Sequence, residues 1–272
     1  VADRDVQVGV FPISIDFDKF ARTAVETAVT EKVNQFCQAI VNCKIILGVD
    51  RLDYSKGIPQ KLRAFGNVLE RYPELQGGIT LVQIVVPSRQ DIPEYKELKA
   101  EIEGLVSQIN GKFSQPGWVP VQYIFRSLEF HDLIAYYRAA DIALVTSLKD
   151  GMNLVAKEYC AANVDNNGVL ILSEFTGAAA QFKKNSLLVN PYDIEGVADA
   201  IFKAFNMGAV ERISRMRKLR NAIKKRDIFW WVERFLQTAT AIKNDTPPAD
   251  LSYLWPYAPK ALVDQSMENA SS

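Results

Sequence analysis

The sequence predicts an α/β protein built on a doubly wound parallel sheet, and three observations carry that prediction. Short apolar runs alternate with amphipathic segments from Lys44 to about Ala204. The runs are mostly unbroken rather than alternating, as parallel strands covered on both faces require. The strand-then-helix order also repeats, which favours crossover helices lying on both sides of one sheet.

Taken in order, Val6–Phe11 reads as a first strand and Asp16–Ile40 as one long helix with Phe17, Phe20, Ala24, Ala28, Phe36 and Ile40 on its apolar face. The sheet proper begins at Ile45–Val49 and continues with Thr80–Val86, Val121–Phe125, Ile142–Thr146 and Gly168–Leu172; Leu187–Val189 is a weaker sixth run. Gly57 opens a helix with Pro59 in its first turn, where a missing N–H costs little. Apolar residues step by three and four along Tyr95–Ile109, Phe130–Tyr137 and Ile194–Phe205, the last with Asp193 as N-cap. Two basic stretches, Val210–Lys225 and Asp227–Ile242, read as helices, and the charges of the first read as a solvated face. From Asn244 the chain reads as a linker and tail in which Tyr253–Tyr257 could dock and Met267–Ser272 is expected to be disordered.

Composition bounds the function. The 272 residues, 48% of them hydrophobic, can bury a substantial core as one large domain or two small ones. Lys+Arg and Asp+Glu number 32 each, so no global field recruits nucleic acid or an anionic membrane. Cys37, Cys43 and Cys160 make no CxxC pair and there is a single histidine, which excludes a zinc set. Free or buried thiols fit a reducing, cytoplasmic setting better than a disulfide scaffold. No apolar run approaches the ~20 residues of a spanning helix, and no signal peptide is visible. The chain starts at Val1 without Met, so a piece of a longer protein is expected.

The most informative run is Asp150-Gly-Met-Asn-Leu-Val-Ala-Lys-Glu158, which follows an apolar strand and enters a helix. Gly151 is expected to allow a tight turn, and Met152, Asn153 and Leu154 to offer N–H groups where the helix dipole favours an anion. Asp150 and Glu158 bracket those donors with carboxylates, an arrangement suited to a ligand carrying both phosphate and hydroxyls, such as a nucleotide sugar. The plain alternative is a strand–helix corner whose Asp caps the helix and whose Glu is solvated. After the first sheet strand, Arg51 and Lys56 straddle a turn. They read either as a diphosphate clamp or as salt bridges to Asp50 and Asp53. Arg89 follows the next strand in Val86-Pro-Ser-Arg-Gln-Asp91, and His131 lies in Ser127–Leu133 on a helix's first turn, where an exposed or structural role is the commoner one. There is no GxGxxG, Walker or nucleophile-elbow pattern.

Jointly these segments resemble the trehalose-6-phosphate synthases, retaining glycosyltransferases of the two-lobed GT-B architecture. The likeness is carried by Arg51–Gly57, Val86–Asp91, Ile109–Phe113, Asp150–Tyr159 and Val169–Ala178, and runs from about Gly9 to Leu236. It implies a Rossmann-like, nucleotide-sugar-binding C-terminal lobe at 15–242, an interlobe segment at 1–14 and a tail at 243–272. Ser14 stands where the family usually has Gly. The resemblance implies that Arg51 and Lys56 are catalytic, binding the donor's diphosphate and stabilising the departing nucleotide. Arg89 would lie near base and phosphate, and backbone groups around Leu128 and Leu133 would read the base. Asp150 would hold glucose hydroxyls, and the backbone from Gly151 through Met152, Asn153, Leu154 and Val155 would line the glucose and phosphates. Glu158 would grip the ribose diol.

The implied reaction transfers glucose, with retention, from UDP-glucose or another nucleoside-diphosphate glucose to glucose 6-phosphate, which binds through an N-terminal lobe that this chain lacks. No cofactor and no metal are implied, the two cations acting where other transferases use a metal ion. Another phosphorylated acceptor, such as glycerol 3-phosphate, and a catalytically silent synthase-like binding domain are the other readings. Intact Arg51, Lys56, Asp150 and Glu158 argue against the silent one. A homo-oligomer is compatible with the sequence, which does not specify one.

Overall fold

A computed structural model describes residues 9–40 and 43–243. The Val6–Val8 part of the expected first strand and everything expected of the tail from Asn244 lie outside the described residues. The helices are α1 (Phe17–Thr23), α2 (Thr27–Ala39), α3 (Ile58–Arg71), α4 (Pro93–Phe113), α5 (Phe130–Ala139), α6 (Leu154–Ala162), α7 (Ala179–Phe182), α8 (Ile194–Phe205), α9 (Ala209–Lys225) and α10 (Ile228–Lys243). The strands are β1 (Lys44–Arg51), β2 (Ile79–Val86), β3 (Val121–Phe125), β4 (Ile142–Val145), β5 (Val169–Ser173) and β6 (Leu187–Val189).

The chain divides into two compact units, Ile15–Lys225 and a smaller one to which residues 9–14 and those from Arg226 belong. In the smaller unit Gly9–Phe11 form no strand, contrary to expectation. The apolar character of Phe11 is used in helix contacts instead. Its carbonyl accepts the Trp231 indole N–H at 2.9 Å, and its ring meets Phe235 edge-on at 5.2 Å. Asp227 caps α10 by accepting the Trp230 N–H at 3.0 Å.

In the larger unit six parallel strands lie in the order β3-β2-β1-β4-β5-β6. All six expected runs are strands, including the weak Leu187–Val189. The chain runs outward from β1 in one direction and then in the other, so the switch point of this doubly wound sheet lies between β1 and β4. Alternate residues feed two cores. Ile46, Leu81, Val85, Leu144 and Ile171 meet α3, α4 and α8 through residues such as Phe65, Ile102 and Ile201. Leu47, Val82, Val145 and Leu172 belong to the opposite core with Ile134, Tyr159, Met216 and Leu219. Each such fully buried side chain contributes about 1.5–3 kcal/mol relative to exposure, so both faces of the sheet are held.

The helix expected over Asp16–Ile40 is two helices. Asp16 caps α1 through the Lys19 N–H, 3.0 Å away, and Glu26 is extended (φ −62°, ψ 144°) before α2 begins. The break is stabilised from α5, because Arg138 Nη1 donates to the Ala24 carbonyl at 2.7 Å and to Thr30 Oγ1 at 2.9 Å. Apolar periodicity alone could not register it, since Phe17, Ala24 and Val29 are all buried in one core.

Among the described residues one ion pair is buried inside the fold. Lys61 Nζ on α3 meets Asp50 Oδ2 on β1 at 2.5 Å, with the side chains 0% and 5% exposed, and Gln83 Nε2 on β2 donates to the same oxygen at 2.9 Å. Gly48 leaves the room, because a Cβ there would collide with the Gln83 side chain. Asp50→Ala would leave a buried ammonium without its counter-charge. The expected cost is about 3–5 kcal/mol, read as a fall in the urea midpoint; an unchanged midpoint would contradict this role for Asp50.

Candidate functional site

The carboxyl ends of β1 and β4 flank the switch point, with that of β5 next to β4, and their loops are joined to one another by hydrogen bonds. After β1, Asp53 Oδ1 accepts from Ser55 N (2.9 Å) and Ser55 Oγ (2.7 Å), folding Tyr54–Lys56 into a 3-10 turn. Gly57 closes that turn at φ 64°, where a Cβ would press on Leu148 and the Thr146 carbonyl. The Ser55 carbonyl accepts the Leu148 N–H at 2.8 Å and the Lys149 N–H at 3.2 Å, tying the β1 loop to the β4 loop. The β4 loop is tied in turn to the β5 loop: Gly177 N donates to Asp150 O at 2.8 Å and Asp150 N to Phe175 O at 3.3 Å. Gly177 must lack a side chain, because a Cβ would fall on the Gly151 carbonyl oxygen.

Asp150 is the hub of this edge. Its Oδ2 accepts from Lys56 Nζ at 2.6 Å and from Asn153 Nδ2 at 3.1 Å, and its Oδ1 accepts the Met152 and Asn153 N–H groups at 3.2 and 3.1 Å. Burial alone would raise its carboxyl, but the Lys56 ammonium and the two amides outweigh that and hold it below the ordinary carboxylate range. Arg51 is 60% exposed and pairs with Asp53 at 3.4 Å. Burial also works against the Asp53 carboxylate, yet its bonds from Ser55 and the nearby Arg51 hold it low as well. Arg51 and Lys56 are therefore both paired with carboxylates, and both line a cleft of about 340 Å³ together with Val49, Asp50, Asp150 and residues 152–155.

The details modify the sequence reading. Met152 and Asn153 do not offer free N–H groups, because the nearest acceptor, Asp150, takes both. The left-handed residue of the loop is Asn153 (φ 58°), not Gly151. Asn153 is also the N-cap of α6, its Oδ1 accepting from Ala156 N at 3.0 Å, so the capping role considered for Asp150 falls to it. The N–H groups of Leu154 and Val155, in the first turn, have no carbonyl four residues back within the helix, and both residues line the cleft. Asp50 pairs with Lys61 rather than with either clamp cation.

The remaining candidates do not line this cleft. Glu158 lies one turn into α6, half-buried rather than solvated, and its Oε2 accepts from Tyr137 Oη at 2.8 Å. Burial raises its carboxyl, and the Tyr137 bond offsets part of that rise. Arg89 is exposed, at φ 47°, with Nη1 donating to Tyr95 Oη at 3.2 Å. The Tyr95 ring meets that of Tyr54, beside Lys56, at 6.5 Å. Leu128 and Leu133 are partly buried against one core, and the Leu133 N–H is spent on Glu129 O at 3.0 Å. His131 is half-exposed, 3.1 Å from Glu26. The contact of Tyr137 with Glu158 was not visible in the sequence, because its spacing marked Tyr137 as core. The available signal was its hydroxyl, which in a buried tyrosine needs an acceptor.

All three cysteines are free. Among the described residues no group of three His, Cys, Asp or Glu side chains is placed to hold a metal, and no helix is long and apolar enough to cross a membrane.

Paired cations, helix-start amides and carboxylates gather at the switch point of a Rossmann-like sheet. The chain belongs to glycosyltransferase family 20, whose family model matches residues 1–241. It is 43% identical over 244 residues to the "Alpha,alpha-trehalose-phosphate synthase [UDP-forming] A" of Dictyostelium discoideum, covering 90% of this chain and 33% of that protein. Two solved structures have the same fold. One, "Trehalose-6-phosphate from E. coli bound with UDP-2-fluoro glucose", is 40% identical with a TM-score of 0.80, covering 84% of this chain and 50% of that one. The other is an alpha,alpha-trehalose-phosphate synthase (UDP-forming) from Burkholderia xenovorans in complex with glucose-6-phosphate. It is 36% identical with a TM-score of 0.81, covering 85% of this chain and 51% of that one. The chain thus spans a third to a half of the proteins it matches, and its fold is that of one lobe of the GT-B architecture.

The Asp150 bonds give a test of the hub. A carboxyl held low by folding adds stability above its unfolded titration range, and that stability is lost as pH falls through the folded value. Asp150→Asn should therefore melt below the parent at pH 7, with the gap closing as pH falls past about 3.9. A gap in thermal melts that does not change with pH would contradict the ionic role.

Proposed function

We propose that this chain is the donor-binding lobe of a retaining glucosyltransferase that moves glucose from UDP-glucose to glucose 6-phosphate, forming trehalose 6-phosphate. The observation that carries the reading is the Lys56–Asp150 pair beside Arg51, at the one edge of the sheet where ligands of such folds bind. The UDP-forming relatives, and the solved neighbours with UDP-2-fluoro glucose and glucose-6-phosphate, support the choice of donor and acceptor. In this reading residues 1–14 arrive from an N-terminal lobe that supplies the glucose 6-phosphate site, 15–242 form the donor lobe and 243–272 a tail. Free thiols support a cytoplasmic setting.

The geometry divides the work. On donor binding Lys56 exchanges the Asp150 carboxylate for the diphosphate, and Arg51 exchanges Asp53 for it. Asp150, released by Lys56 but still held by the Met152 and Asn153 amides, accepts glucose hydroxyls. Leu154 and Val155 direct their amides to the anion, Glu158 accepts from the ribose hydroxyls, and Arg89 stands toward the base and phosphate side. As the glycosidic bond breaks, negative charge grows on the diphosphate, where Arg51 and Lys56 are already fixed. The acceptor hydroxyl attacks from the face the nucleotide leaves, and a phosphate oxygen takes its proton.

Calorimetric titration of this chain with UDP-glucose, ADP-glucose and GDP-glucose should show selective UDP-glucose binding that an Arg51→Ala/Lys56→Ala variant loses. Equal binding by the variant would reject the clamp. In a two-lobed enzyme carrying this lobe, each alanine change should remove roughly 2–4 kcal/mol of transition-state stabilisation, read from kcat/KM. This chain alone should show no glucosyl transfer, and measurable turnover would overturn the two-lobe account.

A further inference from the structure

We propose that Tyr137 is the positioning residue through which the lobe selects ribose over deoxyribose, by fixing the Glu158 carboxylate that grips the nucleotide's sugar. The inference rests on the reading of Glu158 given above and extends it to a residue buried outside the cleft lining.

The geometry is specific. Tyr137 lies on α5, is 1% exposed, and sits in the core between the sheet and α6. Its Oη donates to Glu158 Oε2 at 2.8 Å and, among the described residues, is the side-chain donor to that carboxylate. A carboxylate one turn into a helix has several accessible rotamers, and a bond from a rigid ring in the core selects one of them. With Oε2 anchored inward, Oε1 is the oxygen left to accept a hydroxyl. Burial first, and then the Glu158 charge, push the Tyr137 hydroxyl well above its ordinary value, so it remains a donor throughout the working pH range. The same bond opposes the burial that pushes Glu158 up, so it keeps the acceptor ionised at lower pH than burial alone would allow. A neutral carboxylic acid would lose an acceptor and present a proton to the ribose instead.

The test is titration of the parent chain and of Tyr137→Phe, which removes one oxygen and keeps the ring. The ligands are UDP, 2′-deoxy-UDP and inorganic pyrophosphate, and the UDP series is repeated from pH 7.5 to 5. The parent should prefer UDP over 2′-deoxy-UDP by about tenfold or more, the scale of a hydrogen bond to a charged group. Tyr137→Phe should reduce that preference to within about threefold. It should also move the acid loss of UDP binding to higher pH, because Glu158 then protonates earlier. Pyrophosphate affinity should be unchanged, since Arg51 and Lys56 are untouched. A Tyr137→Phe chain that keeps the parent's preference and pH profile would overturn the proposal alone. Loss of pyrophosphate binding along with UDP would overturn it too, by showing a general packing role. A parent that binds UDP and 2′-deoxy-UDP equally would reject the ribose role of Glu158, and the proposal with it.

Discussion

The ion pair between Lys56 and Asp150 is the contact on which the rest of the site depends. It joins the loop after β1 to the loop after β4 across the switch point, at 2.6 Å, with both side chains mostly withdrawn from water. A lone pair of this kind contributes modestly to stability, because desolvation opposes the Coulombic gain. Here it is embedded in backbone bonds: Ser55 O to the Leu148 and Lys149 amides on one side, and Asp150 with Phe175 and Gly177 on the other. These backbone bonds hold the two charges in place. Such a site is preorganised yet free to exchange partners, as the proposed donor binding requires.

A second consequence is coupling between the two halves of the ligand. In the proposed reading Lys56 serves the diphosphate and Asp150 the sugar, and in this structure each satisfies the other. A diphosphate that draws Lys56 away leaves Asp150 short of a partner, and a sugar hydroxyl can then supply it. In that reading nucleotide and sugar recognition would be linked through one shared bond, each favouring the other without a change of fold. The buried Asp50–Lys61–Gln83 group beneath β1 serves a different end. It ties β1, the strand from which Arg51 emerges, to α3 and β2 and balances the Asp50 charge.

Much of this was legible in the residues. Unbroken apolar runs gave all six strands to within a residue or two, because strands buried on both faces have few polar positions to confuse the pattern. Arg51, Lys56 and Asp150 were legible as charges at strand tips, which are hard to explain as core, and the structure brings all three to one cleft. The failures share a cause. The break between α1 and α2 is held by Arg138, more than a hundred residues away, and local periodicity carries no trace of it. The strand expected at Gly9–Phe11 depended on a neighbour to pair with, and Phe11 instead joins α10. Within the site, the two loop amides turned inward to Asp150, and Asn153 rather than Gly151 adopted the left-handed turn. Tyr137 was hidden because spacing reports burial and is silent about where a buried hydroxyl points.

The most direct measurement is a crystal structure of this chain with UDP-glucose bound. The account predicts that Lys56 Nζ leaves its position 2.6 Å from Asp150 and bonds a phosphate oxygen, while the Asp150 carboxylate accepts a glucose hydroxyl. A bound donor with the Lys56–Asp150 pair intact and the diphosphate held elsewhere would contradict it.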